Sequence, residues 1–354
     1  MSLYASVNAC TLPRLVITSR DDNDNDNDNN EGEDVIEDIV DPRYAEGIQL
    51  AYPPHPKFRF SYDCYLKHAS CVWTVNENDP SEDFDKFAKA PADFQRIILC
   101  TAGCIMIGDS VVLDKLEMPD ITPVSVRIML TNQADRENTH QIVYSRWCDV
   151  APNSDYYRSI EFRREYMGEF ETLAYKYATH DVRIIFYFIM LCENIMFAPF
   201  FQIINYLAVK GYAPKICNSN LLVMRDEYMH YVHARGISAS FRRRISHTLA
   251  RQMLADMDAI TLRVIRKIIG DYNDGYFNYA HVEAHFRHIV HGFMIENSLY
   301  WNEQEELENE KLWGTTPAES YMSAAKAEIK INLMETSSTI YEVDGIDTTI
   351  NMDF

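Results

Sequence analysis

Residues 219–235 read SNLLVMRDEYMHYVHAR, and residues 136–140 read RENTH. Each stretch contains E-x-x-H: Glu137 with His140, and Glu227 with His230. Residues three apart on a helix share a face, so each pair can present a carboxylate and an imidazole to one ion. A single E-x-x-H is weak, since that spacing arises by chance in many helices. Two of them, each inside a stretch whose apolar residues recur every three or four positions, point to helices around a polar centre.

Two further acids sit where a charge is out of place. Asp109 interrupts CTAGCIMIGDSVVL (100–113), and Glu193 interrupts IIFYFIMLCENIMFAPFF (184–201). Burying an unpaired carboxylate costs several kcal/mol, and few lysines or arginines lie in these stretches to offset it. Two multivalent cations would neutralise all four acids together. Carboxylate and imidazole ligands suit iron or manganese, and no thiolate is present in the set to favour copper. Helical bundles that hold two irons use a carboxylate from each of two helices and E-x-x-H from two others. Asp109, Glu137, His140, Glu193, Glu227 and His230 supply that set, with an aspartate in place of one glutamate. The bland alternative, four unrelated acids on helix faces, leaves each of them stranded.

Working outward, segments near 91–116, 122–150, 155–178, 181–209, 219–235, 240–269 and 278–300 carry helical periodicity, and strand-like alternation is scarce. The fold class is all-α, one large ferritin-like helical bundle. Asn218-Ser219-Asn220 and Asp274-Gly275 read as breaks between helices. Residues 1–45 form an acidic, low-complexity segment expected to be disordered; 21–41 alone hold eleven acids and no base. Residues 46–80 are rich in Pro and Tyr and read as an extended arm, 81–311 as the helical domain, and 312–354 as a flexible tail.

A net charge of −20 repels phosphate backbones, so no nucleic acid is expected as a partner, and Arg242-Arg243-Arg244 reads as one solvated helix face. The eight cysteines form no C-x-x-C pair, which fits reduced thiols and a cytoplasmic location. The first residues lack the apolar run of a signal peptide. Residues 184–201 are long enough for a membrane span, but Glu193, Asn194 and Pro199 fall where lipid tolerates them worst, so no membrane is expected. No glycine-rich phosphate loop is present. In HVEAHFRHIVH (281–291) the acid stands third, so this is not H-E-x-x-H, and the tract reads as an exposed polar face.

The run Asp109-Ser-Val-Val, the RENTHQIVYS segment, the Cys192-Glu193-Asn194 helix and MRDEYMH together resemble the metal-binding helices of class I ribonucleotide reductase small subunits of eukaryotic or viral type. The similarity is divergent and extends over roughly residues 70–354. It implies two iron ions per chain, with manganese possible in one site. Asp109, Glu137 and His140 would hold one ion, Glu193, Glu227 and His230 the other, with Glu137 and Glu227 as bridges. Tyr144, one turn after His140, would be the tyrosine oxidised to a stable radical. Phe197 and Phe201, four and eight residues after Glu193, and Val223 would form its dry pocket. Trp73, in CVWTVNENDPSEDF, and Asp226 would link to His140 as an exit path for the electron. Tyr341 would be a mobile relay, and the acidic end Ile350-Asn-Met-Asp353-Phe354 would dock on the large subunit. A homodimer is implied as well.

The departures are specific. Ala198-Pro199 replaces the family's S-G-S, Asp109-Ser110-Val111-Val112 its D-G-I-V, Thr348 the second tail aromatic, and Thr336-Ser337 its Lys-Arg. None removes a ligand; they bear on helix shape near Glu193 and on tail docking. The expected function is therefore the radical-generating small subunit of ribonucleoside-diphosphate reductase, an oxidoreductase. Two rivals stand beside it. Another ferritin-like di-iron oxidase or storage protein would share the six ligands but not need Trp73, Asp226, Tyr341 and the tail. A metal-free helical interaction protein would be expected to have lost ligands.

Overall fold

The computed structural model describes residues 39–116, 121–151, 153–177 and 181–315, and among these no strand occurs. Ten helices carry the architecture. Helix α1 is Arg59–Ala69, α2 Ala92–Leu116 and α3 Val124–Cys148. Short turns and a π turn, Arg163–Met167, lead into α4, Gly168–Lys176. Helix α5, Val182–Leu191, passes through a second π turn, Cys192–Met196, into α6, Ala198–Lys210. Helices α7 (Pro214–Ser240), α8 (His247–Ile269), α9 (Tyr279–Glu296) and α10 (Glu303–Trp313) complete the chain.

Local chemistry sets the helix ends. The side chains of Asp181, Ser246, Asn278 and Asn302 accept from backbone N–H groups in the first turns of α5, α8, α9 and α10. Gly270, at φ +59°, ends α8 in the left-handed region that a side chain would resist. Helix α10 is nearly all polar and carries little apolar periodicity; Glu303, Glu305 and Glu306 in its first turn favour it electrostatically.

Helix α2 packs along α3, α5 against α7, and α6 against both α2 and α7, so these helices surround a common centre. The segments 92–116 and 182–207 are long and apolar enough to cross a membrane, yet 78% and 89% of their most apolar stretches are buried inside the fold. They are core helices. At Gly108 a Cβ would fall 2.7 Å from the Phe197 ring, so the absence of a side chain lets α2 approach the second π turn.

Three sequence expectations need correction. Residues 46–80 are not simply an extended arm: they contain α1, which packs on α3 and α7. Pro56 opens a 3₁₀ turn just ahead of α1, a place where a missing N–H costs nothing, so the proline starts the helix instead of preventing it. Asn218-Ser219-Asn220 does not break a helix; α7 runs from Pro214 straight through it, because Ser219 and Asn220 are buried core residues. Arg242-Arg243-Arg244 lies in the loop between α7 and α8, not on a helix face.

The histidine tract is also less exposed than expected. His285 and His291 on α9 are buried, and His291 bonds Tyr300 Oη at 2.6 Å and Glu310 Oε2 at 2.7 Å, tying α10 to the bundle. None of the seven cysteines among the described residues is joined in a disulfide. Tyr341, the docking tail and most of the acidic N-terminal segment lie outside the described residues.

Candidate metal centre

Helix α2 contributes Asp109, α3 contributes Glu137 and His140, the π turn contributes Glu193, and α7 contributes Glu227 and His230. None of the six is more than 3% exposed. Two groups form around shared members. Asp109, Glu137, His140 and Glu227 place one ligand atom each within 4.8 Å of one another, and so do Glu137, Glu193, Glu227 and His230. Glu137 and Glu227 belong to both groups, the positions expected of bridging carboxylates. The six residues assigned from sequence therefore meet at one place. The tract 281–291 contributes to neither group.

Pro199, which has no N–H to give Ile195, falls in the first turn of α6, where that loss is tolerated. Within the π turn the chain closes a five-residue ring, with Phe197 N–H donating to Cys192 O at 3.3 Å. The register from Glu193 to Phe197 is thus not the α register that offsets of four and eight assumed. Phe197 and Phe201 are buried and stack on each other, ring centres 5.6 Å apart, and Val223 is buried too.

Both oxygens of Asp109, Glu137 Oε2, Glu193 Oε2 and Glu227 Oε1 are buried without a hydrogen bond, as is His140 Nδ1. His140 Nδ1 nevertheless lies 2.9 Å from Glu227 Oε1, and His230 Nδ1 lies 2.9 Å from Glu227 Oε2 and 3.0 Å from Glu137 Oε1. Five orphan carboxylate oxygens in one dry pocket are costly for a protein alone and natural for one holding cations. The donor set, oxygen-rich with two imidazoles, fits iron or manganese.

Protonation follows the same logic. Burial pushes the carboxyls of Asp109 and Glu193 well above the usual carboxylate range, reinforced by the neighbouring glutamates. Burial works the same way on Glu227, but the charge of His140 and the close approach of Glu193, His140 and His230 outweigh it and hold Glu227 well below that range. Burial disfavours the cationic forms of both histidines, yet the acids around them win: His140 is driven well above its ordinary value and His230 up to about 9. Without metal the cluster therefore favours the protonated forms of Asp109, Glu193 and both imidazoles. Each must lose its proton to become a ligand, so metal and protons compete. Ferrous iron uptake at pH 7 is expected to release protons, and apparent affinity to fall as pH is lowered. Calorimetric titration in two buffers of different ionisation heat reads the proton count; identical heats would contradict this arrangement.

Around the cluster lie groups that sequence reading missed. Gln133, one turn before Glu137, donates to Glu193 Oε1 at 2.7 Å and to Glu137 Oε1 at 3.4 Å, holding two candidate ligands together. Its only signal was a polar residue on the ligand face of α3. His68, on the unforeseen α1, stands edge-on to His230 with ring centres 4.9 Å apart, and burial with the His230 charge pushes it down to about 3.

Trp73 is buried and donates from Nε1 to Asp226 Oδ2 at 2.7 Å; the same oxygen lies 3.4 Å from His140 Nε2. Burial raises Asp226, but the His140 hydrogen bond and the Arg225 charge hold it down at about 2. Arg225 and Arg136 each donate to the backbone of the Trp73 segment, to Cys71 O at 2.6 Å and Trp73 O at 2.8 Å. Tyr144 exposes no surface, and its hydroxyl donates to Asn220 Oδ1 at 2.7 Å. Burial, then the charges of Asp109 and Glu227, raise its phenol well above the ordinary tyrosine range.

A helical bundle that gathers two E-x-x-H pairs and two more carboxylates at its centre has the arrangement of ferritin-like carboxylate-bundle proteins. The match to the family described as "Ribonucleotide reductase, small chain" extends over residues 55–281, well over half the sequence, and the chain belongs to that family. The family is part of an oxidoreductase. Solved structures agree on the fold. The ribonucleotide reductase R2 subunit from Clostridium botulinum superposes with a TM-score of 0.59 at 18% identity, covering 67% of this chain and 81% of its own. A Bacillus halodurans protein assigned as a class I ribonucleotide reductase gives 0.63 at 18% identity, covering 75% and 99%. The ribonucleotide reductase Rnr4 homodimer from Saccharomyces cerevisiae gives 0.61 at 13% identity, covering 74% and 89%. No curated protein matches the chain by sequence.

Proposed function

We propose that the chain builds and stores the oxidant for ribonucleotide reduction on a separate large subunit. The carrying observation is the pair of overlapping four-residue groups, fully buried, with five orphan carboxylate oxygens. In this reading Asp109, Glu137 and His140 hold one iron and Glu193, Glu227 and His230 the other, bridged by Glu137 and Glu227, with manganese able to replace iron in one site. The irons, when bound, would supply one-electron oxidation by dioxygen. Gln133 would keep Glu193 and Glu137 in place while the ions bind. Tyr144, shielded from water and one turn from His140, would be the residue oxidised to a tyrosyl radical. Trp73, Asp226 and His140 would form the route by which the oxidising equivalent leaves, with the shared Asp226 Oδ2 able to hold the proton that moves with it.

Adding ferrous iron and oxygen and recording one electron paramagnetic resonance spectrum tests this directly. A tyrosyl signal is expected; a di-iron site with no such signal would favour an oxidase or storage protein. The reading also takes the chain to be a homodimer in the cytoplasm, with 81–311 as the helical domain and 312–354 as the tail that docks on the large subunit through Tyr341 and the acidic end. Deleting 347–354 should abolish reductase activity while iron and radical content stay unchanged. Undiminished turnover after that deletion would place the dock elsewhere.

A further inference from the structure

Tyr144 does not stand alone in an apolar pocket. Asn220, which accepts its hydroxyl, donates from Nδ2 to Asn205 Oδ1 at 2.7 Å and to Phe201 O at 3.2 Å. Asn205 Nδ2 in turn lies 3.2 Å from Met224 Sδ. Both asparagines are fully buried, on the facing helices α6 and α7. Phe201 O is a backbone carbonyl and can only accept, so the end of Asn220 that faces it must be the NH₂. The oxygen end is therefore the one turned toward Tyr144, and the chain itself fixes that orientation.

A neutral phenol can donate to this oxygen. A tyrosine that has lost its hydrogen cannot, and it would meet an acceptor where it needs a donor. We propose that Asn220 is a positioning residue that stabilises Tyr144 in its reduced, protonated form, making Tyr144 a stronger oxidant once its hydrogen is gone. This rests on the reading of Tyr144 as the oxidised residue. Oxidation takes one electron and one proton from Tyr144. The bound irons, oxidised by dioxygen, would take the electron, and the proton would go to a carboxylate of the site, because an amide oxygen is too weak a base to keep it. Asn220 thus favours the starting state and gives nothing to the product. The two-asparagine clamp also prevents the amide from turning over to donate.

The test has two arms. In the metal-free full chain, ultraviolet resonance Raman difference spectra against Tyr144→Phe isolate this tyrosine from the other 21 of the chain's 22. Wild type should show a donating phenol, and Asn220→Leu an unbonded one. In protein treated with ferrous iron and oxygen, high-field resonance should give the large g value of an unbonded tyrosyl, with no exchangeable deuteron coupling after transfer to heavy water. Asn220→Leu should lengthen the radical half-life about tenfold, the scale of one lost hydrogen bond. The double variant Asn205→Leu/Asn220→Leu also removes the amide oxygen to which Asn220 donates, and should behave alike if the single variant folds poorly. An exchangeable coupling in wild type, an unchanged Raman pattern in Asn220→Leu, or a shortened half-life would overturn the proposal. If no tyrosyl signal depends on Tyr144, the functional reading fails, while the Raman arm still decides whether Asn220 holds the phenol.

Discussion

Glu227→Ala is expected to cut iron content from about two ions per chain to well below one, the count that paired bundle sites carry. Glu227 belongs to both ligand groups, with one oxygen 2.9 Å from His140 Nδ1 and the other 2.9 Å from His230 Nδ1. Its removal leaves three ligands in each group and takes away one of the two shared carboxylates. Asp109→Ala strips a ligand from one group only, so its loss should be smaller. The metal-free fold should tolerate Glu227→Ala, since His140 and His230 keep Glu137 nearby and can release their protons. Elemental analysis with circular dichroism separates lost binding from lost folding. Ferrous iron at a hundredfold excess over its dissociation constant should stabilise the wild type by about 2.7 kcal/mol and so raise its melting temperature, and leave the variant unmoved. Full iron loading in Glu227→Ala would remove the basis of the ligand assignment.

The six candidate ligands were legible in sequence because each breaks a local rule. A carboxylate within an apolar run, or an E-x-x-H within a helical period, is a conflict that only the folded centre resolves. Glu193 illustrates this: its apolar neighbours make the core helix, and the charge among them marks the site. What was missed obeys local rules or misleads by them. Gln133 is an ordinary polar residue until the fold puts Glu193 within 2.7 Å. Asn220 reads as a turn former, and only its bonds to Tyr144, Asn205 and Phe201 O make it a core residue. Helix α1 was hidden by prolines that precede it, and with it His68. The π turn shifts the register between Glu193 and Phe197, and residue spacing alone carries no signal of it.

Tyr144→Phe is expected to abolish the tyrosyl signal and, with the large subunit present, nucleotide reduction. From sequence the substitution reads as nearly silent structurally, since it removes one hydroxyl and little volume. The structure adds a cost. The hydroxyl is bonded to buried Asn220, so the variant leaves Asn220 Oδ1 without its donor, a penalty of about 1–3 kcal/mol. A modest loss of melting temperature should therefore accompany complete loss of the radical, with iron binding intact because no ligand changes. Trp73→Phe should divide these effects differently. It removes the indole donor to Asp226 Oδ2 but leaves Tyr144, Asn220 and all six ligands in place. Iron binding and the tyrosyl signal should persist, while turnover with the large subunit falls sharply, because the stored oxidant has lost its way out. The two variants together distinguish storage from transfer. A stable tyrosyl signal and normal turnover in Tyr144→Phe would move the oxidant to another residue and leave only the metal centre of this reading standing.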